Sequence, residues 1–349
     1  WERQDIPIVP PPVPVYTLSG IVTDIDSGEP LEEIAVEIYN ISTAVSDWDT
    51  TLYDTTDEDG IYSFTESVSP GYVTMYARRD NYQIYTKLLI QYWSDRQFDF
   101  QLPKVAVAES YYVGFPEGYV TGMCWKDIST LAIIDTWTTV LESDGTEYPL
   151  RKIWESTNWG EFERISDDAT VYNNREYRGL DFDGERYVAL SRPTYLAAGE
   201  DILQDDGGIY FLSPTSQAIL EHDTIPVSPS RVRDISLVGD ELYIAAETRL
   251  VRWNLVTGDT LIVFNPEAWF TGIVVKDSVI YTYDDDYYAG NLVTMTREFQ
   301  RLATYRVMTG FDYSERVELS GPFSGATDGI CWGIGYVLGD PLLYRVGLQ

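Results

Sequence analysis

The sequence holds few of the side chains that form conventional catalytic or metal centres. His222 is the single histidine, and Cys124 and Cys331 are the two cysteines. Zinc-type coordination through imidazole or thiolate is therefore nearly excluded. A serine triad would have to use His222, and no G-x-S-x-G turn is present to carry the nucleophile. Carboxylates are the remaining candidates for chemistry, and the chain is rich in them.

A first group of carboxylates matches part of a calcium-binding loop. Asp57, Asp59 and Glu66 stand where an EF-hand loop has its third, fifth and twelfth positions, with Gly60 at the sixth. Thr55 occupies the first position, which needs a carboxylate. We therefore expect no bound cofactor, with calcium at the three acidic residues as the alternative.

A second group of aspartates falls on or beside the inner strands of a predicted ring: Asp127, Asp181, Asp234 and Asp328. Two carboxylates at the centre of a propeller could perform glycoside hydrolysis. The four do not share one position of the repeat, and a chain with 56 acidic residues places some there by chance. We assign no catalytic residue, and a propeller glycosidase or lyase is the lesser alternative.

The charge balance narrows the choice of partners. Lys and Arg number 24 and Asp and Glu 56, which gives a net charge of −32. Nucleic acids and anionic membranes are poor partners, because binding to phosphates needs a basic surface. No apolar run is long enough for a transmembrane span. Since the sequence opens at Trp1, we expect a processed or truncated end, and a lipid anchor upstream of Trp1 stays open.

We expect the candidate carboxylates and cysteines to lie on β-strands or in the turns between them. The chain has 27 Tyr, 12 Phe and 10 Trp, a composition typical of β-proteins, and its 349 residues suggest about two domains. We predict an all-β protein in three parts. These are a Pro-rich extended arm at 1–15, a small β-sandwich at 16–103 and a β-propeller at 104–349.

The arm reads WERQDIPIVPPPVPV, with five prolines in fifteen residues. Proline fixes φ and removes amide donors, which favours an extended, polyproline-like segment. The arm's apolar side chains are predicted to dock on a neighbouring subunit. They are Ile6, Ile8, Val9, Val13 and Val15. The alternative is a spacer that holds the domains off a surface.

Alternating strands and turn residues follow from Tyr16 to about Pro103. They carry, in this order, the motifs Gly20-x-Val22-x-Asp24, Gly28-x-Pro30-Leu31, Val36-x-Ile38, Thr56-Asp57-x-x-Gly60-x-Tyr62-x-Phe64 and Pro70-Gly71-Tyr72. With these motifs, residues 17–102 resemble the carboxypeptidase regulatory-like (transthyretin-like, Cna-B-like) domain. Asn81 stands where the family usually has a glycine. The resemblance implies a β-sandwich that serves as a structural or adhesive module.

Five segments of 104–349 share a pattern of strand, polar or glycine turn, and strand. Their anchors, at spacings of 57, 55, 38 and 57 residues, are Gly122, Gly179, Asp234, Gly272 and Gly329. Recurrence in this range is typical of propeller blades. The segment LVRWNLVTGDTL is similar to the end of WD40-like and quinoprotein-like blades. We predict five blades, closed by strands from 105–120, with a sixth blade in 131–175 as the alternative.

Cys124 and Cys331 occupy the same Gly-x-Cys-Trp position in the first and last repeats. These repeats are neighbours in a closed ring, so one prediction is a disulfide between the two cysteines that links the first and last blades. Two buried, free thiols on inner strands are the other. Asn40, in an Asn-Ile-Ser sequon, is a glycosylation candidate.

Together these features predict a non-catalytic structural protein of a prokaryotic cell surface or secretome. We expect copies of the chain to assemble into an extracellular filament or surface layer, with each arm docking on the next subunit. The alternative is a surface lipoprotein whose propeller binds a glycan or a protein ligand. Because a surface this acidic repels itself, we also expect the assembly to weaken at very low ionic strength.

Overall fold

In the computed structural model the chain divides between Lys104 and Val105 into two compact units. The described residues are 16–41, 51–68, 71–79, 82–92, 94–111, 113, 115, 120–135, 138–141, 147–150, 153–157, 161–165, 176–192, 195–198, 201–204, 207–228, 231–284, 291–309, 315–316, 319–324, 331–337 and 340–348. Every long element among them is a β-strand, which confirms the all-β prediction.

The first unit consists of two sheets. Its strands are β1 (Tyr16–Asp24), β2 (Ala35–Ile41), β3 (Thr51–Thr55), β4 (Ile61–Val68), β5 (Gly71–Arg79), β6 (Tyr82–Tyr92), β7 (Arg96–Gln97) and β8 (Phe100–Leu102). One sheet has the order β4-β1-β7, with β8 also paired to β1. The other contains β3, β2, β5 and β6 in that order, with antiparallel neighbours. The unit is thus a small sandwich.

The two sheets enclose a single apolar core, and the pattern of β1 shows how. From Leu18 onward its residues alternate between buried and partly exposed, as expected of a strand with one face on a core. The core cluster consists of Leu18, Val22, Leu31, Ile34, Val36, Ile38, Tyr62, Phe64, Met75, Ala77, Phe100 and Leu102. Half of these residues are apolar positions of the sequence motifs described above.

Two motif glycines of the sandwich mark close backbone approaches. A Cβ at Gly20 would lie 1.7 Å from the carbonyl oxygen of Phe98, which also accepts a hydrogen bond from the Tyr62 hydroxyl at 2.5 Å. Gly60 has a φ of +72°, and a Cβ there would lie 2.6 Å from the carbonyl oxygen of Val22. Larger residues at either position would push the backbone segments apart.

The second unit contains nearly all of β9 (Lys104–Tyr111) and five groups of antiparallel strands, which we call blades 1 to 5; the strands of blades 4 and 5 belong to one continuous sheet. Blade 1 comprises β10 (Val120–Trp125), β11 (Leu131–Asp135), β14 (Ile153–Ser156) and β15 (Glu163–Arg164), and the hairpin β12 (Thr138–Leu141) and β13 (Glu147–Leu150) lies between β11 and β14 in sequence. Blade 2 comprises β16 (Glu176–Phe182), β17 (Tyr187–Arg192), β20 (Gly208–Leu212) and β21 (Ile219–Asp223), with the inserted hairpin β18 (Tyr195–Ala198) and β19 (Asp201–Gln204).

The remaining blades follow in chain order. Blade 3 comprises β22 (Asp234–Val238), β23 (Glu241–Ala246), β24 (Arg249–Asn254) and β25 (Thr260–Phe264). Blade 4 comprises β26 (Phe270–Lys276), β27 (Val279–Asp284), β28 (Asn291–Met295) and β29 (Arg301–Thr309), to which β30 (Glu315–Arg316) pairs. Blade 5 comprises β31 (Leu319–Ser324), β32 (Cys331–Val337), β33 (Asp340–Leu348) and β9.

The first strand of each blade lies at the centre of a closed ring. β10 contacts β16, β16 contacts β22, β22 contacts β26, β26 contacts β31, and β31 contacts β10. β9, from the segment expected to close the ring, is the outer strand of the last blade. These contacts are those of a β-propeller, as the sequence repeat predicts. Five blades account for every four-stranded group in the described part of the second unit, and the count stays a prediction for the whole chain.

Five separate apolar cores fill the spaces between consecutive blades. Along β17, Tyr187 and Ala189 pack against blade 1, whereas Val188 and Leu190 pack against blade 3. Both faces of the strand are therefore buried, which explains its near-continuous apolar sequence. The other three cores lie between blades 3 and 4, 4 and 5, and 5 and 1.

The structure corrects the predicted alignment of the last blade. The sequence repeat assigned the strand after Gly329 to the centre of the ring. That strand, β32, is instead the second strand of blade 5, and β31 occupies the centre. The alignment failed there because the Gly-x-Cys-Trp sequence of the inner strand β10 recurs at the start of β32, one strand after the inner strand of blade 5.

Candidate functional sites

Polar side chains of the inner strands join neighbouring blades. Oδ2 of Asp181 on β16 accepts the amide of Leu237 on β22 at 2.5 Å. Asp234 on β22 accepts the amide of Ile273 on β26 at 2.9 Å, and Ser236 accepts that of Val275 at 3.1 Å. We call these three contacts the inter-blade clasp. Each gives a partner to an amide at the centre of the ring.

Glycines make the same interfaces close enough for the clasp to form. A Cβ at Gly122 would lie 2.8 Å from the backbone of Gly179 in the next blade. Gly179 has a φ of +75°, and its Cβ would lie 2.7 Å from the amide nitrogen of Ile235 in the blade after that. The repeat anchors are therefore glycines because backbone packs on backbone. Asp234, the anchor of blade 3, instead reaches out to Ile273.

The carboxyl group of Asp181 has a shifted pKa. Burial raises the pKa of its carboxyl group to about 6, against the opposing effect of the hydrogen bonds from the amides of Leu237 and Phe182. The carboxylate already accepts two amides. Asp234 uses one oxygen in the same way, so these two ring acids bind backbone rather than lining an open site.

The other acids of this group lie elsewhere. Asp127 is exposed in the β10–β11 turn, where its Oδ1 accepts the amides of Ser129 and Thr130, both at 2.8 Å. These bonds lower the pKa of its carboxyl group. Asp328 lies outside the described residues. The structure thus shows Asp181 and Asp234 in one interface system and Asp127 in a separate surface turn.

Both cysteines are free, buried thiols. Cys124 packs in the core between blades 1 and 2, whereas Cys331 packs in the core between blades 4 and 5. The disulfide prediction assumed two inner strands of adjacent blades, but Cys331 lies on the second strand of its blade and faces the other way. Burial raises the pKa of Cys331 to about 12 and raises that of Cys124, which also lies near Asp181 and Glu155.

A polar cluster that the sequence did not indicate lies beside Cys124. Glu155 Oε1 accepts hydrogen bonds from Lys126 Nζ at 2.7 Å and from the Tyr187 hydroxyl at 2.5 Å. The pKa of Tyr187 is raised by burial and by Cys124 and Glu155. The three residues come from β10–β11, β14 and β17, so they tie blade 1 to blade 2. No spacing in the sequence relates them.

Among the described residues, the calcium candidates Asp57 and Asp59 lie in a hydrogen-bonded turn. Oδ1 of Asp57 accepts the amides of Asp59 at 3.1 Å and Ile61 at 2.9 Å. This arrangement closes the hairpin before β4, as the sandwich motif implies. The side chain of Glu66 lies outside the described residues. Within the described ranges, no group of three or more His, Cys, Asp or Glu side chains could hold a metal ion.

Two further sets of predicted residues have a limited structural description. Asn40 lies within β2, opposite Val73 of β5, and its side chain is outside the described residues. The whole arm, with Ile6, Ile8, Val9, Val13 and Val15, also lies outside them. Docking by the arm therefore stays a prediction.

The outer strands of blades 2 and 3 expose apolar side chains. In β25, Ile262 and Phe264 are 45% and 58% exposed, and the strand has no charged residue. In β21, Leu220 is 56% exposed, but the strand also carries Glu221, His222 and Asp223. Nearby, Trp269 is 40% exposed, and the guanidinium of Arg233 lies 5.2 Å from its ring centre.

The sequence matches no protein-family model and no curated protein sequence. Several solved structures have a similar fold. Myxococcus xanthus glutaminyl cyclase is 11% identical, with a TM-score of 0.46, over 71% of this chain and 99% of that chain. BamB from Moraxella catarrhalis is 12% identical, with a TM-score of 0.36, over 71% and 92%. A chain of the nidogen/laminin complex is 11% identical, with a TM-score of 0.35, over 73% and 95%. The fold class rests on the sheets themselves.

None of the described segments forms a helix with the length and apolar character to cross a bilayer.

Proposed function

We propose that the chain is a non-catalytic extracellular structural protein whose copies assemble into a filament or surface layer through the N-terminal arm. The sandwich is, in this proposal, a carboxypeptidase regulatory-like module, and the propeller of unassigned family is a second rigid block. The partner is another copy of the chain.

The observation that carries the proposal is the uncharged, exposed outer strand β25. The chain has a net charge of −32, yet this strand exposes Ile262 and Phe264. An exposed apolar edge strand pairs readily with other chains, so proteins normally prevent this pairing with charged residues or with an element that covers the edge. Its retention on such an acidic protein supports a role in binding a partner.

The inner acids support a scaffold role in a different way. Asp181 and Asp234 accept backbone amides of the next blade, so they stabilise the ring. Glycosidases need a pair of carboxylates that are open to substrate, about 5–10 Å apart. Acids that are engaged with backbone amides are suited to holding sheets together.

Deletion of residues 1–15 tests the proposal. We expect the full chain to form polymers visible by electron microscopy and light scattering, and the deleted chain to remain monomeric. Polymers should weaken at very low ionic strength, since like charges on neighbouring subunits are then poorly screened. A full chain that stays monomeric from low to high salt, or polymers that survive the deletion, would contradict the proposal.

A second function is favoured by Trp269. An exposed indole backed by Arg233 is a platform on which a sugar ring could stack. A monomeric protein whose glycan affinity falls in the Trp269→Ala variant would support a surface lipoprotein with a ligand-binding propeller. The same variant should leave polymers intact if the first function is right.

A further inference from the structure

The two faces of β25 differ in a way that suits an added strand. Leu261 and Val263 pack against the core between blades 3 and 4, whereas Thr260, Ile262 and Phe264 are exposed. The strand pairs on one side with β24, and no other described strand pairs with its outer edge. A strand added there would extend the sheet and cover the exposed face if it offered apolar side chains at alternate positions.

The arm has that alternation. Ile6 and Ile8 are two residues apart, so they lie on one face of an extended chain. Pro7 lies between them, and when the amides of Ile6 and Ile8 point to the acceptor strand, the nitrogen of Pro7 points away. An edge position of this kind is where a sheet tolerates proline. The prolines of 10–14 then end the strand and form a spacer.

Charge also favours this pairing. The arm contains Glu2, Arg3 and Asp5 as its charged side chains, so its net charge is −1. On the acceptor, the guanidinium of Arg249 lies 5.8 Å from the ring centre of Phe264 and places a positive charge beside the edge. Association of these two surfaces avoids the repulsion that most other contacts between copies would meet.

We propose that residues 4–9 of one copy add as a fifth strand to β25 of the next copy, with Ile6 and Ile8 packed against Ile262 and Phe264. The inference rests on the proposed assembly and names its acceptor site. β21, with Glu221, His222 and Asp223, is the edge that does not accept the arm, because its charges oppose a paired apolar strand.

A peptide of residues 1–15 and the protein lacking those residues test the pairing directly. The peptide should bind the protein that lacks residues 1–15, which is the parent protein for the variants below. It should bind the Ile262→Lys variant at least about tenfold more weakly, since one buried isoleucine contact is lost and a charge is placed on the edge. The matched Leu220→Lys variant, on β21, should bind within about twofold of the parent. Fluorescence anisotropy of the labelled peptide measures all three.

A change in the peptide gives a test that is independent of protein folding. A peptide with Ile6→Asp and Ile8→Asp should lose at least about tenfold in affinity, because both apolar contacts are removed. Equal binding of this peptide, or equal binding of the normal peptide to Ile262→Lys, would overturn the proposal. Dimers of the deleted protein that vanish with Ile262→Lys would also overturn it, because β25 would then pair with a second β25.

Failure of the site and failure of the assembly are distinguishable. If polymers of the full chain disappear on deletion of the arm but persist with Ile262→Lys, the assembly stands and the acceptor lies elsewhere. If the full chain remains monomeric while its peptide still binds the parent protein and not Ile262→Lys, the acceptor stands and the filament does not.

Discussion

The two units of this protein bury their strands in different ways. In the sandwich, one core lies between two sheets, and β1 alternates between buried and partly exposed residues. In the propeller, five cores lie between five blades, and a strand such as β20 is buried at every residue. The sandwich therefore needs apolar residues on one face of a strand, whereas the ring needs them on both. Each unit also needs glycine where two backbone segments approach closely. Substitution of such a glycine should destabilise its own unit and leave the other unit unchanged.

The largest effect is expected for Gly20→Ala in the sandwich. Its new methyl group would lie 1.7 Å from the Phe98 carbonyl oxygen, so β1 must move. We expect a loss of about 3 kcal/mol or more in the free energy of unfolding of this unit. Hydrogen exchange, followed separately in β1 and β16, should show faster exchange in β1 only.

Gly28→Ala is the matched control for that change. Gly28 also lies in the sandwich, has a φ of +72° and would place its Cβ in open space. It should cost only about 1 kcal/mol. Equal effects of the two substitutions would show that the close approach at Gly20 is not what matters.

The next largest effect is expected in the ring, for Gly179→Ala. The substitution combines a φ of +75° with a Cβ 2.7 Å from the Ile235 amide, which forces blades 2 and 3 apart. We expect a loss of about 2–4 kcal/mol, detected as faster exchange in β16 and β22 with β1 unchanged. Gly184→Ala, with a φ of +99° and open space, is the control. Faster exchange in β1 as well would contradict independent units.

The acids of the two units should respond to pH in opposite directions. Burial raises the pKa of Asp181 to about 6, so the folded ring binds a proton more tightly than the unfolded chain. Its contribution to stability is fully present below pH 3.8, the ordinary value, and is lost as the pH rises through about 6. Asp181→Asn should remove this pH dependence. Because both carboxyl oxygens accept backbone amides and asparagine offers only one acceptor oxygen, the variant should also lower the free energy of unfolding of the ring by about 1–3 kcal/mol.

In the sandwich, Asp24 provides the contrast. Burial acts to raise the pKa of its carboxyl group, but hydrogen bonds from Ser27 and Asp26 lower it below its ordinary value of 3.8. Its contribution is present above pH 3.8 and is lost as the pH falls through the lower folded value. Unfolding by denaturant at pH 7 and pH 4 measures the effect of Asp181, and a further measurement at about pH 2 measures that of Asp24, each followed by exchange in its own unit. A ring whose stability keeps the same pH dependence in Asp181→Asn would contradict the assignment.

The smallest effect concerns the thiols. Cys124 and Cys331 are buried with raised pKa values, so an alkylating reagent should leave them unmodified in the folded protein. After unfolding without reductant, mass spectrometry should find two labels per chain. Absence of labels would show a disulfide and a ring packed differently from that described.

The contrast between the units also explains how far the sequence could predict the structure. The alternation of apolar and polar residues predicts the sandwich strands. Gly28 and Gly60 predict turns, and both glycines have a positive φ in the structure. The first four inner strands of the ring follow from the repeat of Gly122, Gly179, Asp234 and Gly272. The fifth did not, because residues of β32 carry the same local pattern as an inner strand.

The candidate sites were less predictable than the fold. Asp181 and Asp234 were recognised as ring acids, but a sequence does not reveal that each accepts an amide of the next blade. Lys126, Glu155 and Tyr187 are far apart in the sequence and come from different strands or turns, so no local sequence pattern predicts their cluster. The β25 edge had a signal, namely five apolar or neutral residues without charge, and only the structure shows that it is an uncovered edge.

The pairing of β9 with β33 has a consequence for biogenesis. Ala106 lies opposite Leu348, so the ring is closed by hydrogen bonds between strands from its two ends in sequence. A growing chain cannot complete blade 5 until β33 has been synthesised, and contacts of such long sequence separation form slowly. Closure of the ring is therefore a late step of folding, which commits the propeller to its final form only after β33 has been made.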